Sequence, residues 1–439
     1  MIKMLTAPAP SGFRALQRPI LLSSVASLGL FAALGSASAQ DIRIWSGYPE
    51  LAPFYQHVAD GMKAEFPELK VTIEAIALRE HEKRVALGIA SGESADVIEF
   101  ATSLATRYLE NDLFAAPPAD VVAFVNDPAN FGEFFVNGAS YNGAVAGLPL
   151  FRGQSALYYN TDMFAAAGLT TPPKTMAELD DYAEKLTQRD AAGVPTVSGW
   201  SMRLSGGGAG ITEKFWINMF QHGGEMMEQG ADGKWKATFS TDAGVATMKQ
   251  YLHNLFTTKT VSVEMPADAD AFQRQQTAMF IRESWVIGDI AAKAPDLNYA
   301  TATLPRGTII SQGNLYVTGD GPEAEAAWQF ALATQKPENL LWMLDNVGWL
   351  PNRLGLDYSA ILAAKPGLAA FVELPESYEF FNVPAIGPID EIMTRTASQL
   401  QAAFATPALA GDEAAIKAFL VTAETEINDI LKREGMLAE

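Results

Sequence analysis

The chain has 439 residues, 51 acidic and 31 basic, a formal net charge of −20 and no cysteine. So acidic a composition argues against nucleic acid or anionic membrane as partners. The absence of thiols excludes disulfides, a cysteine-borne lipid, thiolate metal sites and cysteine nucleophiles.

Residues 1–39 read as a secretory leader. Lys3, Arg14 and Arg18 stand without an acidic residue before an apolar stretch over 20–34, and Ala37-Ser38-Ala39 supplies an A-x-A cleavage signal. The apolar stretch is shorter than the roughly 20 residues that span a bilayer. Cleavage after Ala39 is expected, giving a free, unlipidated periplasmic protein. The remaining length of about 400 residues suits two or three packing units.

From residue 41 onward the pattern is strand, helix, strand, helix, strand. Ile42-Arg43-Ile44-Trp45 alternates, a helical stretch covers 53–66, an extended run covers 71–76, a second helix covers 79–90, and Val97-Ile98 ends an apolar run near Phe100. That order predicts an α/β fold with a largely parallel sheet, whose ligand contacts lie beyond the carboxyl ends of its strands. Those ends are Ser46-Gly47-Tyr48 and Ala101-Thr102-Ser103, so Tyr48, Thr102 and Ser103 are candidate contacts. Hydroxyls there can also serve only as turn formers.

The stretch 147–160 reads as extended, with Pro149 fixing the backbone and Gly153 allowing a bend, and it brings Arg152 and Gln154 into question as contacts. A second α/β pattern follows: helix 176–189, strand 196–201, a glycine-rich break 205–210, helix 212–221 with Thr212 as N-cap, helix 240–256, and strand 279–281 leading into Arg282-Glu283-Ser284-Trp285. The last third is mostly helical. Gly208 and Thr212 could present amides at a helix start, or belong to a surface connection. Ser284 and Trp285, just past strand 279–281, are candidate contacts; the indole could stack on a ligand or fill a core. Trp216, inside an amphipathic helix, reads as core. Arg152 and Arg353 could fork onto hydroxyls or a carboxylate of a ligand, or form ion pairs within the fold or at its surface; with Arg282 nearby, an acidic ligand stays open.

Enzyme signatures are missing. His57, His81, His222 and His253 are scattered, without H-E-x-x-H spacing, and there is no G-x-S-x-G elbow, so no catalytic residue, metal or cofactor is expected. A carboxylate pair of a glycosidase is not excluded by counting.

Four features carry a resemblance: the strand-helix opening from Asp41; Ser94-Ala95-Asp96-Val97-Ile98; Gly147-Leu148-Pro149 through Leu157-Tyr158-Tyr159-Asn160; and Ala278-Met279 through Ser284-Trp285, with Gly348-Trp349-Leu350-Pro351-Asn352-Arg353 downstream. In order and spacing the chain resembles the family 1 extracellular solute-binding proteins of ATP-binding-cassette importers, which include maltodextrin and other sugar receptors. The resemblance implies a bilobal periplasmic-binding-protein fold, with lobe one over 40–151 and 312–349 and lobe two over 152–311 and 350–439. It also implies a carbohydrate captured by hinge closure, delivery to a membrane permease, and a monomer. A receptor for an anionic sugar derivative and a secreted carbohydrate-active hydrolase are the alternatives. Glu283 stands where the family usually has a small residue.

Overall fold

Short alternating runs become strands where one face of the pleat meets one helical layer and the other face meets another. In the computed structural model, which describes residues 41–205, 208–266 and 268–438, β1 (Asp41–Ser46), β2 (Lys70–Ala75) and β3 (Val97–Ala101) form a parallel set with β1 in the middle. The leader-like segment 1–39 lies outside the described residues. Ile42 and Ile44 point into one apolar core with Phe54, Tyr55 and Val58 of α1 (Ala52–Met62). Trp45 and Ile98 point the other way, toward Val85 of α2 (Leu78–Ser91) and Ala105 and Tyr108 of α3 (Thr102–Leu109). Both faces of the parallel set are therefore covered by helices, as strands buried on two sides require.

Two long strands carry the sheet onward. β4 (Leu148–Asn160) has 13 residues and β7 (Gly307–Val317) has 11; they run antiparallel, and β7 pairs with β3. β5 (Met279–Glu283), β6 (Tyr299–Ala302) and β8 (Leu350–Pro351) pair antiparallel with β4, and β9 (Glu379–Asn382) pairs parallel with β7. The main path through this nine-stranded sheet is β5-β4-β7-β3-β1-β2. Where β4 and β7 shift register, between Gly313 and Asn314, a side chain at 313 would press its Cβ to 2.4 Å from the Phe151 ring, so only glycine lets the strands meet.

The apolar packing separates along these two strands. Leu148, Leu150 and Phe151 of β4 and Leu315 and Val317 of β7 pack into the first core. Leu157 of β4 and Ile309 of β7 pack into a second core, with Phe215 and Trp216 of α4 (Gly210–Gln221), Ile392 and Leu400 of α5 (Ile389–Phe404) and Leu420 and Ile427 of α6 (Glu413–Arg433). Trp216 is fully buried there.

Three local expectations are corrected. The run 196–201 is not one strand: Pro195–Val197 pairs with Gln188–Arg189, while Ser198 and Ser201 make single bridges to Thr277 and Phe280. Gly199 lies so close to the Ala183 carbonyl that a Cβ would fall 1.9 Å from its oxygen, which leaves no room for regular pairing of side chains. The helix expected to be capped by Thr212 starts at Gly210, with Ala209 as its N-cap, so Thr212 sits inside the first turn. The helix expected over 240–256 is α-helical over Asp242–Leu252 and widens into a π turn at His253–Thr257.

Candidate functional site

A cleft opens where the carboxyl ends of β1 and β3 face the start of α4 and the loop into α5. It consists of two adjoining chambers of about 440 and 650 Å3, both lined by Tyr48, Leu78, Arg79, Ala209, Glu213, Ile309 and Ser311. This is the size of a small-molecule site. Residues of the first core meet residues of the second across it. One ion pair bridges the mouth: Arg79 of α2 bonds Glu82 at 2.8 Å and approaches Asp390 of α5 at 3.4 Å.

The larger chamber has aromatic walls and a floor of alternating charge. Tyr48 packs edge-on against Trp349 and Phe151, with ring centroids 5.0 and 5.3 Å away, and the Trp349 indole N–H donates to Glu50 at 3.2 Å. On the floor, Glu283 accepts from Lys214 at 2.6 Å, from Ser155 at 3.3 Å and from the Trp285 indole at 3.3 Å. Arg282 lies 3.4 Å from Glu283, 3.7 Å from Asp268 and over the Trp285 ring at 5.3 Å. Arg203 bonds Asp268 at 3.1 Å, and Lys214 also reaches Glu213 at 3.1 Å. Burial alone would raise the Glu283 carboxyl, yet Arg282 and Lys214 outweigh it and hold the group well below the ordinary carboxylate range. Arg203 and Asp268 both have positive φ, +49° and +26°, a backbone cost that their mutual ion pair and the packed floor hold in place.

Beneath the Tyr48 loop is a second polar pair. Glu99 of β3, 1% exposed, accepts from the Ser46 hydroxyl at 2.6 Å, and burial pushes its carboxyl up to about 8 despite bonds from Ser46 and the Gly47 amide. His81 is buried beside it with Nε2 2.8 Å from the Glu99 carbonyl oxygen, and burial lowers the imidazole to about 4. Burial, with Glu99 and Glu50 nearby, pushes the Tyr48 phenol well above its ordinary value, so it faces the cleft as a neutral hydroxyl.

The cleft brings together five of the ten residues singled out from sequence. Tyr48 lines both chambers, Thr102 and Ser103 line the smaller one, and Gly208, with φ +66°, and Trp285 line the larger. The other five point elsewhere. On β4, Gly153 and Ser155 face the cleft, so Arg152 and Gln154 face the opposite side, where Arg152 donates to the Pro351 carbonyl and Gln154 to the Phe371 carbonyl. Ser284 is likewise the inward residue between Glu283 and Trp285, and its hydroxyl donates to the Gly348 carbonyl at 2.6 Å. At the start of α4 the cleft-facing residues are the N-cap Ala209, Gly210 and Glu213, and buried Thr212 donates to the Met393 carbonyl at 2.7 Å. Arg353 donates to the Gln335 carbonyl and lies over Phe124.

Sequence reasoning missed Arg79, Glu213, Arg203, Lys214 and Glu283. The available signal was the Arg282-Glu283 pair at the end of an apolar strand, where charge is costly unless partnered. Among the described residues, no group of three or more His, Asp or Glu side chains is placed to hold a metal ion, and no helix is long and apolar enough to cross a membrane.

A family profile described as bacterial extracellular solute-binding protein matches residues 58–370. A binding protein of Brucella abortus (strain 2308) is 24% identical over 399 residues, which cover 87% of this chain and 92% of the relative. Among solved structures, an ABC substrate-binding protein from Listeria monocytogenes in complex with cycloalternan matches with a TM-score of 0.74 at 20% identity, over 90% of this chain and 99% of that one. An ABC transporter solute-binding protein from Thermotoga lettingae bound with α-D-tagatose matches with a TM-score of 0.74 at 20% identity, over 89% of this chain and all of that one. A Mycobacterium tuberculosis protein in complex with glycerophosphocholine gives 0.74 at 18% identity, over 90% and 99%. The shared architecture is the bilobal α/β periplasmic-binding fold.

Proposed function

The chain belongs to the bacterial extracellular solute-binding proteins, and from that premise we propose that it captures a neutral carbohydrate in the cleft and hands it to the membrane permease of an ATP-binding-cassette importer. The observation that carries this reading is the charge balance of the larger chamber. Arg79, Arg203 and Arg282 are matched there by Glu50, Glu213 and Glu283. Each is held by a neighbour, Arg282 by Glu283 and Asp268, Arg203 by Asp268, Arg79 by Glu82 and Asp390, Glu213 by Lys214 and Glu50 by the Trp349 indole, so the chamber offers fixed donors and acceptors to hydroxyl groups with its charges balanced in number. Trp285, Tyr48 and Trp349 add aromatic faces for the C–H side of a sugar ring. Structural relatives solved with cycloalternan and with α-D-tagatose support the same class.

The acidic-solute alternative loses its basis, because Arg152 and Arg353 are spent on backbone carbonyls away from the cleft and Arg282 is neutralised by Asp268 and Glu283. The lobes on this reading are 40–151 with 312–349, and 152–311 with 350–439. β4 and β7, which contribute to both cores, serve as the straps about which they close. Export to the periplasm as a free monomer and binding without chemistry complete the proposal.

A thermal-shift panel of neutral sugars and sugar acids, preceded by native mass spectrometry of protein from its own host, tests it. Stabilisation by a neutral sugar with its mass recovered intact supports the reading. Stabilisation only by sugar acids, or conversion of a glycoside during incubation, contradicts it.

A further inference from the structure

The two chambers differ in what they offer a solute. The larger one alone is lined by Glu50, Arg203, Arg282, Glu283, Trp285 and Trp349, whereas the smaller one alone is lined by Leu104, Leu109, Val383, Pro384, Ile389 and Met393. Leu104, Leu109 and Val383 are only half-buried, so aliphatic carbon is presented to the space. Several polar side chains bordering that space are already engaged. The Thr102 hydroxyl donates to the Gly138 carbonyl and accepts from Asn314, the Ser140 hydroxyl donates to the Val136 carbonyl, the Gln312 amide donates to the Phe135 carbonyl, and Glu82 and Asp390 are both held by Arg79.

Resting on the carbohydrate-receptor reading, the geometry points to a bipartite solute: a polyhydroxylated head in the larger chamber joined to an aliphatic segment of several carbons in the smaller one. The two parts meet at the constriction of Tyr48, Arg79, Glu213 and Ser311, which both chambers share. The lining side chains without a partner among the described residues, Asn137, Asn142 and Asn382 together with Ser103 and Tyr141, are exposed or half-buried, so a sugar ring set against the Leu104, Leu109 and Val383 wall would leave the hydroxyls on that side without partners, at a cost in unmade hydrogen bonds. An alkyl chain there meets carbon and needs no partner. Each methylene moved from water into such a site strengthens binding about threefold to fourfold.

Calorimetric titration of the whole secreted protein with the methyl, butyl and hexyl glycosides of D-glucose and D-galactose in both anomers, alongside the free sugars and maltose, tests this. All are kept below micelle-forming concentrations. For the head group that binds, Kd is expected to fall about threefold per methylene from methyl to hexyl. That slope is expected to vanish in Leu104→Asn and in Val383→Asn, whose half-exposed positions allow folding to be verified by circular dichroism. A Kd independent of chain length overturns the inference while leaving the receptor reading in place, as does maltose binding more tightly than hexyl glucoside. A slope that persists unchanged in both variants overturns it too, because the chain then lies elsewhere. If no glycoside and no free sugar binds, the receptor reading fails and the inference fails with it.

Discussion

Replacing Glu99 by glutamine removes the proton that the buried carboxyl holds, and with it a defined slope in stability. The carboxyl sits at about 8 in the folded protein against 4.5 for the free group, so between those values the folded chain binds more protons than the unfolded one, and stability falls as pH rises. His81 acts in the opposite sense: its imidazole is lowered from 6.5 to about 4, so its contribution to stability is lost as pH falls through that window. The two slopes oppose each other between about 4.5 and 6.5, which leaves Glu99 alone from about 6.5 to 8. Over that stretch its contribution is roughly 1.4 kcal/mol per pH unit, or about 2 kcal/mol in all. Glutamine keeps an oxygen to accept from Ser46 and the Gly47 amide but has no proton to lose. Urea midpoints of the ligand-free protein, measured in steps from pH 6.5 to 8.5, are therefore expected to decline more steeply in the wild type than in Glu99→Gln, with the difference flattening above pH 8. Parallel profiles for the two proteins would refute the placement of a protonated carboxyl beneath the Tyr48 loop.

Glu283→Gln removes the 2.6 Å carboxylate partner of Lys214, 5% exposed, and leaves it Glu213 at 3.1 Å as its one remaining ion pair among the described residues, so it is expected to cost about 1–3 kcal/mol of stability in urea unfolding; adding Lys214→Met should recover part of that loss, and an unchanged midpoint in the single variant would count against the network. Trp285→Ala is expected to weaken sugar binding by about tenfold or more in calorimetry. Arg152→Ala and Arg353→Ala should instead cost about 1–3 kcal/mol of stability from lost hydrogen bonding, read as a lower urea midpoint, with Kd changed less than about threefold; a large loss of affinity in either would return these arginines to the cleft. Arg79→Ala removes a half-exposed ion pair across the mouth and a donor that lines both chambers, so Kd is expected to rise by up to about fivefold, with only the share due to the Asp390 pair disappearing in 0.5 M salt.

Much of the fold was legible in the residue pattern. The alternation of Ile42, Ile44 and Trp45, the run at Val97-Ile98 and the intervening helices led directly to a parallel α/β start, and the long stretch at 147–160 is a strand contributing to both cores. The cleft was legible only where a general rule fixes it: residues at the carboxyl ends of parallel strands, Tyr48, Thr102 and Ser103, line the cavity because the sheet ends there. Along β4 and β5 the same region was identified, but not which alternate residues face the solute. A one-residue choice of parity separates Arg152 and Gln154 from Gly153 and Ser155, and polarity misleads because arginine and glutamine can be satisfied by backbone carbonyls on the far side. Lys214 and Arg203 were illegible for another reason. Their partners, Glu283 and Asp268, are distant in sequence, and only the folded chain shows that these charges neutralise one another.

The measurement closest to the central claim is small-angle X-ray scattering during titration with the neutral sugar that gives the largest thermal stabilisation, with occupancy read in parallel by calorimetry. Closure of the two lobes about β4 and β7 requires one site per chain and a radius of gyration that falls in proportion to occupancy. Full occupancy with an unchanged scattering profile, or a stoichiometry other than one, would contradict it.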